Sequence, residues 1–240
     1  MTGKTPLQTN FVFSYMRRGG NKPKTEEGEQ KQESQPAHPY ENAIKTITSV
    51  DTVEDFWETY DFLKRPSELP TTTDYHFFRG GIKPTWEDPS NAKGGKWIVR
   101  LPKGLSSRYW EEIMLALIGG QFSGVPDGEI CGAVLSIRYG EDILGVWNKT
   151  ASDRDMVDRI RDAIKKVLQL PNHANMEFKP HQNSIQDKSS FRNTQVWKPK
   201  SAEARSSAHG ETRRSGSWGE REERKPKSRD TGRDTGRSWR

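Results

Sequence analysis

Apolar residues recur with two different periods along this chain, and the order of these periods limits the folds that it can adopt. Alternation with period two, or a short apolar run, predicts strands over about 9–16, 42–50, 75–78, 96–101, 130–139, 143–149 and 175–179. Spacing of three and four residues predicts helices over about 51–63, 106–118 and 152–168. Strand pairs joined by tight turns, with few helices between them, indicate an α+β fold. We expect helices on one face of a mainly antiparallel sheet.

Polar residues mark the expected ends of these helices. Asp51 is the predicted N-cap of the first helix, and Ser106 or Ser107 that of the second. Ser152, with an acidic residue three positions later, predicts the start of the third. Gly119-Gly120 predicts the end of the second helix.

The apolar pattern stops after Asp187, and the charge changes with it. Residues 189–240 contain 14 Lys/Arg against 7 Asp/Glu, whereas residues 1–188 contain 25 against 26. We therefore predict a folded domain over 1–187 with a mobile insert at about 17–39, followed by a disordered basic tail over 188–240 rich in Ser, Arg and Gly. The domain is not a broadly basic nucleic-acid surface, although the tail favours weak, salt-sensitive RNA contacts.

Several classes of protein find no support in the sequence. Cys131 is the single cysteine, so no intrachain disulfide can form, which fits a reducing, intracellular and cytoplasmic setting. No apolar run reaches the length of a membrane helix, and no signal peptide is evident. Five histidines and one cysteine show no metal-ligand spacing, and no phosphate-binding glycine loop or nucleophile motif is present. We expect no cofactor and no enzymatic activity, although an enzyme is not excluded.

One polar loop carries the pattern with the clearest chemistry. Trp86-Glu87-Asp88 opens it and Gly94-Gly95-Lys96-Trp97 closes it. An indole beside a carboxylate can stack on a flat cationic ring and accept hydrogen bonds from its N–H edge. The alternative is that Trp86 only packs. Arg138, at the end of a predicted strand, is a rim charge or an anion contact.

Several motifs, in order, resemble the mRNA cap-binding translation initiation factor 4E family. They are Asp51-Thr-Val-Glu-Asp-Phe-Trp57, Gly81-Ile-Lys-Pro-Thr-Trp86-Glu87-Asp88, Gly94-Gly-Lys-Trp97, Cys131-Gly-Ala-Val and Val146-Trp147. The resemblance runs from about residue 5 to 186. The stretch from Ile137 to Asp153 resembles the second class of that family, the 4E-homologous protein type. The resemblance implies a curved, mainly antiparallel sheet backed by three helices on its convex face, with a cap pocket on its concave side.

The resemblance also implies the residues of a 7-methylguanine site. Trp86 and Tyr40 match the two stacking aromatics, the latter in a position where the main family members carry tryptophan. Glu87 matches the carboxylate that accepts from the guanine N–H groups, and Trp147 the residue near the methyl group. Phosphate contacts are implied for Arg138 and for Lys103 or Arg108.

Three departures from the main family members weaken the implied site. Tyr40 offers a smaller π surface than tryptophan, and Ile143 replaces a phosphate-binding lysine. The segment from Lys103 to Arg108 is shorter than theirs, which leaves the choice of phosphate contact between these two residues open. Together the departures predict a weaker hold on the cap and favour a modulating or repressive role, with a weaker initiator as the alternative.

A second surface is implied for a partner. Six residues match the positions where the family docks a scaffold or repressor protein bearing a Tyr-x-x-x-x-Leu-apolar helix: Pro6, Leu7, Val53, Trp57, Leu115 and Gly119. The alternative for Val53 and Leu115 is packing between helices. We therefore expect a monomeric regulator or initiation factor that binds capped mRNA and a partner. The competing hypothesis is a general RNA-binding protein that acts through its basic tail.

Overall fold

An eight-stranded antiparallel sheet forms the body of the protein in a computed structural model, which describes residues 3–18, 40–171, 173–190 and 192–197. The strands are β1 (Pro6–Arg17), β2 (Lys45–Thr52), β3 (Thr73–Arg79), β4 (Gly95–Leu101), β5 (Ile130–Ser136), β6 (Asp142–Asn148), β7 (Met176–Pro180) and β8 (Gln195–Trp197). Their order in the sheet is β2-β1-β3-β5-β6-β4-β7-β8. The helices are α1 (Val53–Phe62), α2 (Ser106–Ile118), α3 (Arg154–Val167) and α4 (His181–Asp187), with short 3₁₀ helices at Glu41–Ala43 and Pro66–Glu68. The predicted α+β class is confirmed.

The two faces of the sheet differ because side chains alternate along each strand. Phe77 of β3 points to the face covered by α1, α2 and α3, where its ring lies 4.8 Å from that of Phe11 and 4.5 Å from that of Phe13. The neighbouring His76 and Phe78 lie outside that helix-covered core. We call the opposite side the open face of the sheet. Apolar burial between sheet and helices supplies the main stabilisation of the domain.

The helix starts lie close to the predicted positions, but none of the predicted N-cap residues is correct. Thr52, not Asp51, caps α1, since its Oγ1 accepts from the Asp55 main-chain N–H at 3.1 Å. Asp153 rather than Ser152 caps α3 through the Met156 N–H, at 3.0 Å. The N-cap position of α2 is Leu105, which has no capping side chain. The predicted end of α2 at Gly119-Gly120 is confirmed, with Gly120 at φ +60°.

The fold continues past the predicted end of the domain at Asp187. Helix α4 was not predicted, and β8 adds three residues that pair with β7. At the other end, β1 runs to Arg17. The rest of the predicted insert from 19, and the tail from 198 onward, lie outside the described residues.

None of the helices in the described residues combines the length and apolar composition that a bilayer crossing requires. Within the same ranges, no group of three or more His, Cys, Asp or Glu side chains is placed to hold a metal ion.

Candidate functional site

A cavity of about 260 Å³ lies on the open face of the sheet. Its floor comes from β3, β4, β5 and β6, and its walls from the loops that carry Tyr40 and Trp86. Charged and polar lining residues are Arg18, Asp74, Lys96, Arg100, Ser136, Arg138 and Ser190. The structure therefore brings together Tyr40, Trp86, Arg138 and Trp147 of the residues that the sequence implied.

The loop between β3 and β4 presents Trp86. Trp86 is half-buried and packs against a small apolar cluster of Phe78, Cys131 and Trp147. Trp86 therefore packs in part and also lines the cavity, and its stacking on a ligand stays a prediction. The loop closes at Gly94, where a Cβ would stand 1.8 Å from the carbonyl oxygen of Asn148. Only glycine permits this approach.

The two neighbouring acidic residues of this loop have separate roles. Asp88 folds the loop: its carboxylate accepts from the main-chain N–H of Lys83 at 3.0 Å and of Ser90 at 2.8 Å. Asn91 is buried and donates to the carbonyls of Lys83 and Thr85, at 2.8 Å each. Glu87 is exposed and has no ion pair within 4 Å among the described residues. Its carboxylate is therefore available to a ligand.

Tyr40 enters the site from a turn that begins the 3₁₀ helix Glu41–Ala43. The Arg18 guanidinium lies 5.9 Å from the centre of its ring. Burial, and then the charge of Asp74, raises the pKa of Tyr40 to about 12. Tyr40 is consequently neutral at any physiological pH, and its ring presents an uncharged π face.

Asp74 is the buried acid of this site. Its carboxylate pairs with Arg138 Nη2 at 2.7 Å and with Arg18 Nη2 at 3.5 Å. Arg138 also donates from Nη1 to the carbonyl of Ile137 at 3.0 Å. Arg138 is thus fixed at the cavity wall with one edge held by protein groups, and 27% of its side chain remains exposed.

Trp147 forms part of the cavity floor from β6. Its ring lies edge-on to Phe78, with centroids 5.4 Å apart, and 4.2 Å from the ring of His181. Burial lowers the pKa of His181 to about 3, so the group beside Trp147 is a neutral imidazole. Trp147 is held on both sides by uncharged rings.

Lys96 is a site residue that the sequence analysis missed. It lies in the strand pattern after Gly94-Gly95 and would be expected to point to solvent, yet the structure buries it in the cavity. Its Nζ lies 5.8 Å from the Trp147 ring centre, and no carboxylate lies within 4 Å of it among the described residues. Burial, and then the charge of Lys179, lowers its pKa to about 7. A buried cation of this kind is suited to an anionic ligand.

A second and larger cavity, of about 1180 Å³, joins the first. The two share Arg18, Tyr40, Trp86 and Ser190. Glu87 lines the second cavity, as do Asp187, Lys188 and other residues after α4. The two aromatic rings therefore stand between the two spaces.

Two implied phosphate contacts do not line either cavity. Lys103 Nζ pairs with Asp142 at 2.6 Å and also donates to the carbonyl of Arg138. Arg108 lies on α2 and pairs with Glu112 at 2.8 Å. Lys103 thus supports the turn that carries Arg138. Lys103 and Arg108 both have an acidic partner in the structure, and the phosphate contact implied for one of them stays a prediction.

Two other positions shape the cationic side of the site. Ile143 lines the first cavity with an apolar side chain, as the sequence implied. Arg100 lines it too, but its guanidinium is paired with Glu177 and Glu141, each at 2.6 Å. Its charge is largely compensated.

The implied partner surface lies around the starts of β1 and α1. Trp57 is 38% exposed, and its ring meets Phe56 edge-on at 5.3 Å. Thr5 donates its main-chain N–H to Glu54 at 2.8 Å, and its carbonyl accepts from the Val53 N–H at 2.9 Å. These bonds fix the start of β1, with Pro6 exposed and Leu7 half-buried, beside the first turn of α1.

The remaining two implied partner contacts lie on or directly after α2. Leu115 is half-buried and packs on the main core, and Gly119 is exposed. A Cβ at Gly120 would lie 3.5 Å from Gln8 Oε1, so the end of α2 lies against β1. Leu115 and Val53 are both half-buried, which is compatible with packing and with docking.

Comparisons with known proteins extend over the whole described sheet. The family model for eukaryotic initiation factor 4E matches residues 6–196. The Oryza sativa subsp. japonica protein "Eukaryotic translation initiation factor NCBP" is 47% identical over 192 residues, covering 80% of this chain and 78% of that protein. "Eukaryotic translation initiation factor 4E-4" of Caenorhabditis elegans is 43% identical over 188 residues, covering 78% and 82%. Among solved structures, C. elegans eIF4E-3 in complex with the 4E-binding protein Mextli and cap analog matches with a TM-score of 0.65 and 30% identity, covering 80% of this chain and 100% of that one.

Proposed function

Because this chain belongs to the eukaryotic initiation factor 4E family, we propose that it binds the 7-methylguanosine cap of mRNA between Tyr40 and Trp86. One observation carries the proposal. Two aromatic rings from separate loops border one cavity, with an unpaired carboxylate beside one ring and a buried cation on the floor. The solved neighbour that contains a cap analog supports it.

The charge of the methylated base explains why rings would hold it. Methylation at N7 makes guanine a cation, which is attracted to an electron-rich ring face by about 2 kcal/mol when desolvated. Stacking on an aromatic side chain adds about 1–3 kcal/mol for any base. Unmethylated guanine keeps the stacking and loses the cation–π attraction, so the site discriminates by charge.

Glu87 is the group that reads the base edge in this proposal. A carboxylate with no partner in the protein accepts two N–H groups of guanine without first giving up an existing bond. Asp88 cannot replace it, since its oxygens already hold the loop. The neutral Trp147–His181 pair gives the methyl group an apolar neighbour.

The phosphates of the cap are assigned to Lys96 and Arg138. Both line the first cavity, and Lys96 has no competing carboxylate within 4 Å in the described ranges. Lys103 and Arg108 would reach a phosphate only after leaving Asp142 and Glu112, respectively. With Ile143 apolar and Arg100 compensated, few cations are available, which supports a moderate affinity for the cap.

A moderate affinity favours a regulatory role through a partner protein. We place that partner on Trp57, Val53 and Leu7, with Pro6, Leu115 and Gly119 around them. An exposed tryptophan beside half-buried aliphatic residues is a surface on which an amphipathic helix can dock. The neighbour solved with the 4E-binding protein Mextli supports a partner of this kind. The same relatives support a role in translation initiation or its regulation and, with it, the proposed cytoplasmic location.

The order of the chain is proposed as a cap-binding domain followed by a basic tail. The family match to 196 and strand β8 support placing the end of the domain after Trp197. The tail is assigned weak RNA contact only.

The cap site is tested by retention of the full chain on 7-methylguanosine resin, with elution by 7-methyl-GTP and by GTP. We expect elution by the methylated nucleotide alone. Trp86→Ala and Glu87→Gln should each abolish retention, whereas Asp158→Asn, an exposed acid on α3, serves as the matched control for Glu87 and should be retained. Retention of both site variants would remove this assignment.

Two further variants separate the other parts of the proposal. Trp57→Ala should no longer bind a peptide bearing the Tyr-x-x-x-x-Leu-apolar helix but should still bind the cap. Loss of both activities would contradict the proposal that the two ligands bind separate surfaces. A chain ending at 197 should keep the cap and lose most of its affinity for uncapped RNA. If the shortened chain loses all RNA binding and the full chain never held the cap, the function resides in the tail.

A further inference from the structure

Lys179 is a fully buried lysine on the open face of the sheet. It lies on β7 directly across from Lys96 of β4, so both side chains leave the sheet on the same side. A lysine is almost never buried unless its charge is paired. Its role therefore depends on which groups it contacts.

The partner of Lys179 is Asp187, at the end of α4. Lys179 Nζ donates to Asp187 Oδ2 at 2.7 Å and to the main-chain carbonyl of Arg192. The Asp187 carboxylate also accepts from the Ser189 main-chain N–H at 2.9 Å and from Asn193 Nδ2 at 3.1 Å. The Arg192 N–H donates to Ser189 Oγ at 3.2 Å. The buried ammonium of Lys179 thus holds both the end of α4 at Asp187 and the following segment at Arg192.

The backbone of this segment needs such support. Lys188 and Asn193 have φ values of +47° and +54°, in the left-handed region that costs free energy for residues other than glycine. Between α4 and β8 the described residues form no helix or strand. Hydrogen bonds to Lys179 and Asp187 support this conformation.

The same segment borders the proposed cap site. Asp187, Lys188, Ser190 and Arg192 line the second cavity, and Ser190 lines the first as well. These residues lie beside the space bordered by Tyr40 and Trp86, which come from elsewhere in the chain. A change in their position would widen the site on one side.

We propose that Lys179 is a positioning residue of the cap site, which through its ion pair with Asp187 holds residues 187–190 and 192 as one wall of the two cavities. The proposal rests on the proposed cap-binding function for its effect on the ligand. Lys179 does not line either cavity itself, so it acts through the segment that it holds.

The ion pair has a second effect, on Lys96. Lys179 lies across from Lys96, and Asp187, which compensates its charge, is its one ion-pair partner within 4 Å among the residues that the structure describes. Two uncompensated ammonium groups on neighbouring strands would repel each other. Asp187 therefore limits the repulsion that Lys179 exerts on Lys96, while the same carboxylate fixes the wall.

The test combines ligand kinetics with local exchange in the full chain. Stopped-flow tryptophan fluorescence measures 7-methyl-GTP association and dissociation, and amide hydrogen exchange measures protection at 187–190. For Lys179→Met we expect dissociation about tenfold faster, association nearly unchanged and faster exchange at 187–190, since a preorganised wall mainly slows release. Lys166→Met, an exposed lysine on α3, removes the same charge and should change neither quantity.

Asp187→Asn decides whether the two residues act together. It should accelerate dissociation by about threefold to tenfold. The double variant should dissociate no faster than the faster-dissociating single variant, because both changes remove the same interaction. Unchanged dissociation and exchange in Lys179→Met, or effects of the two changes that multiply, would overturn the proposal. If Lys179→Met does not fold, unchanged dissociation in Asp187→Asn would overturn the proposal. Failure of the unchanged chain to bind 7-methyl-GTP would instead refute the proposed function, and the exchange experiment would still decide the role of Lys179.

Discussion

The two faces of the sheet are built from different kinds of side chain. The helix-covered face buries aromatic and aliphatic groups such as Phe77, Leu144 and Trp110. The open face buries charged or titratable groups such as Asp74 and Lys96. Apolar burial stabilises a fold, whereas burial of a charge costs free energy unless a partner compensates it. The comparison shows which face maintains the fold and which is arranged for a ligand.

The compensation on the open face is uneven, and this unevenness is informative. Asp74 is shared between two arginines, and Lys179 is paired with Asp187. Lys96 has no carboxylate within 4 Å in the described part of the chain, and Glu87 has no ion pair there. The first pairs maintain the geometry, and the two unpaired groups are those that we assign to opposite ends of the cap.

The largest expected effects come from one substitution on each face, compared for stability and for cap binding. Phe77→Ala removes a fully buried ring between sheet and helices and should lower the unfolding free energy by about 3–5 kcal/mol. Trp86→Ala should lower it by less than half as much, because Trp86 is only half-buried, and should abolish cap binding. Denaturant unfolding and 7-methyl-GTP titration of both variants measure this. Equal losses of stability would contradict the division of roles between the faces.

A smaller effect concerns the charge of Lys96. Its pKa is lowered to about 7 by burial and by Lys179, so its charge is lost as the pH rises through 7. Since phosphates need the charged form, the ratio of affinities for 7-methyl-GTP and 7-methylguanosine should fall severalfold between pH 7 and pH 9, one pKa unit corresponding to a factor of ten. The nucleoside carries the same base and corrects for titration of the base itself.

Lys96→Arg provides the control for this pH dependence. An arginine stays protonated throughout the range, so the ratio of affinities should become independent of pH. A ratio that falls equally in this variant would place the titrating group elsewhere.

The smallest expected effect concerns an ion pair between the two loops that carry Tyr40 and Trp86. Glu41, next to Tyr40, pairs with Lys83, three residues before Trp86, at 2.5 Å. The side chain of Lys83 is 66% exposed and that of Glu41 38%, so solvent screens the pair and it should contribute little by itself. Glu41→Gln or Lys83→Met should weaken 7-methyl-GTP binding by no more than about threefold. The effect should disappear in high salt, which screens exposed charges. A larger or salt-independent loss would show that the ion pair positions the rings.

The sequence predicted the elements whose pattern is long enough to repeat. Seven strands and the three longer helices follow from apolar periodicity, but β8 has three residues and α4 seven, too few for a period to show. The predicted N-cap residues were wrong by one position, because capping depends on which side-chain oxygen reaches a free main-chain N–H. Thr52 reaches the Asp55 N–H, and Asp51 next to it does not cap α1.

The sequence singled out candidate residues where they stand together in a motif, as Trp86 and Glu87 do. Tyr40 was singled out only by the family resemblance, and the pattern alone left Arg138 as a rim charge or an anion contact. Arg18, Asp74 and Lys96 could not be predicted, because their roles arise when distant strands meet at one cavity. Lys103 shows what a position in the chain leaves open: the resemblance implied a phosphate contact, and the structure pairs its ammonium with Asp142.

Calorimetric titration of the full chain with 7-methyl-GTP and with GTP, at one pH and one salt concentration, tests the central claim most directly. If Tyr40 and Trp86 hold a charged purine while Glu87 accepts from its edge, the methylated nucleotide should bind at least about 100-fold more tightly. Equal affinities for the two nucleotides would contradict the account.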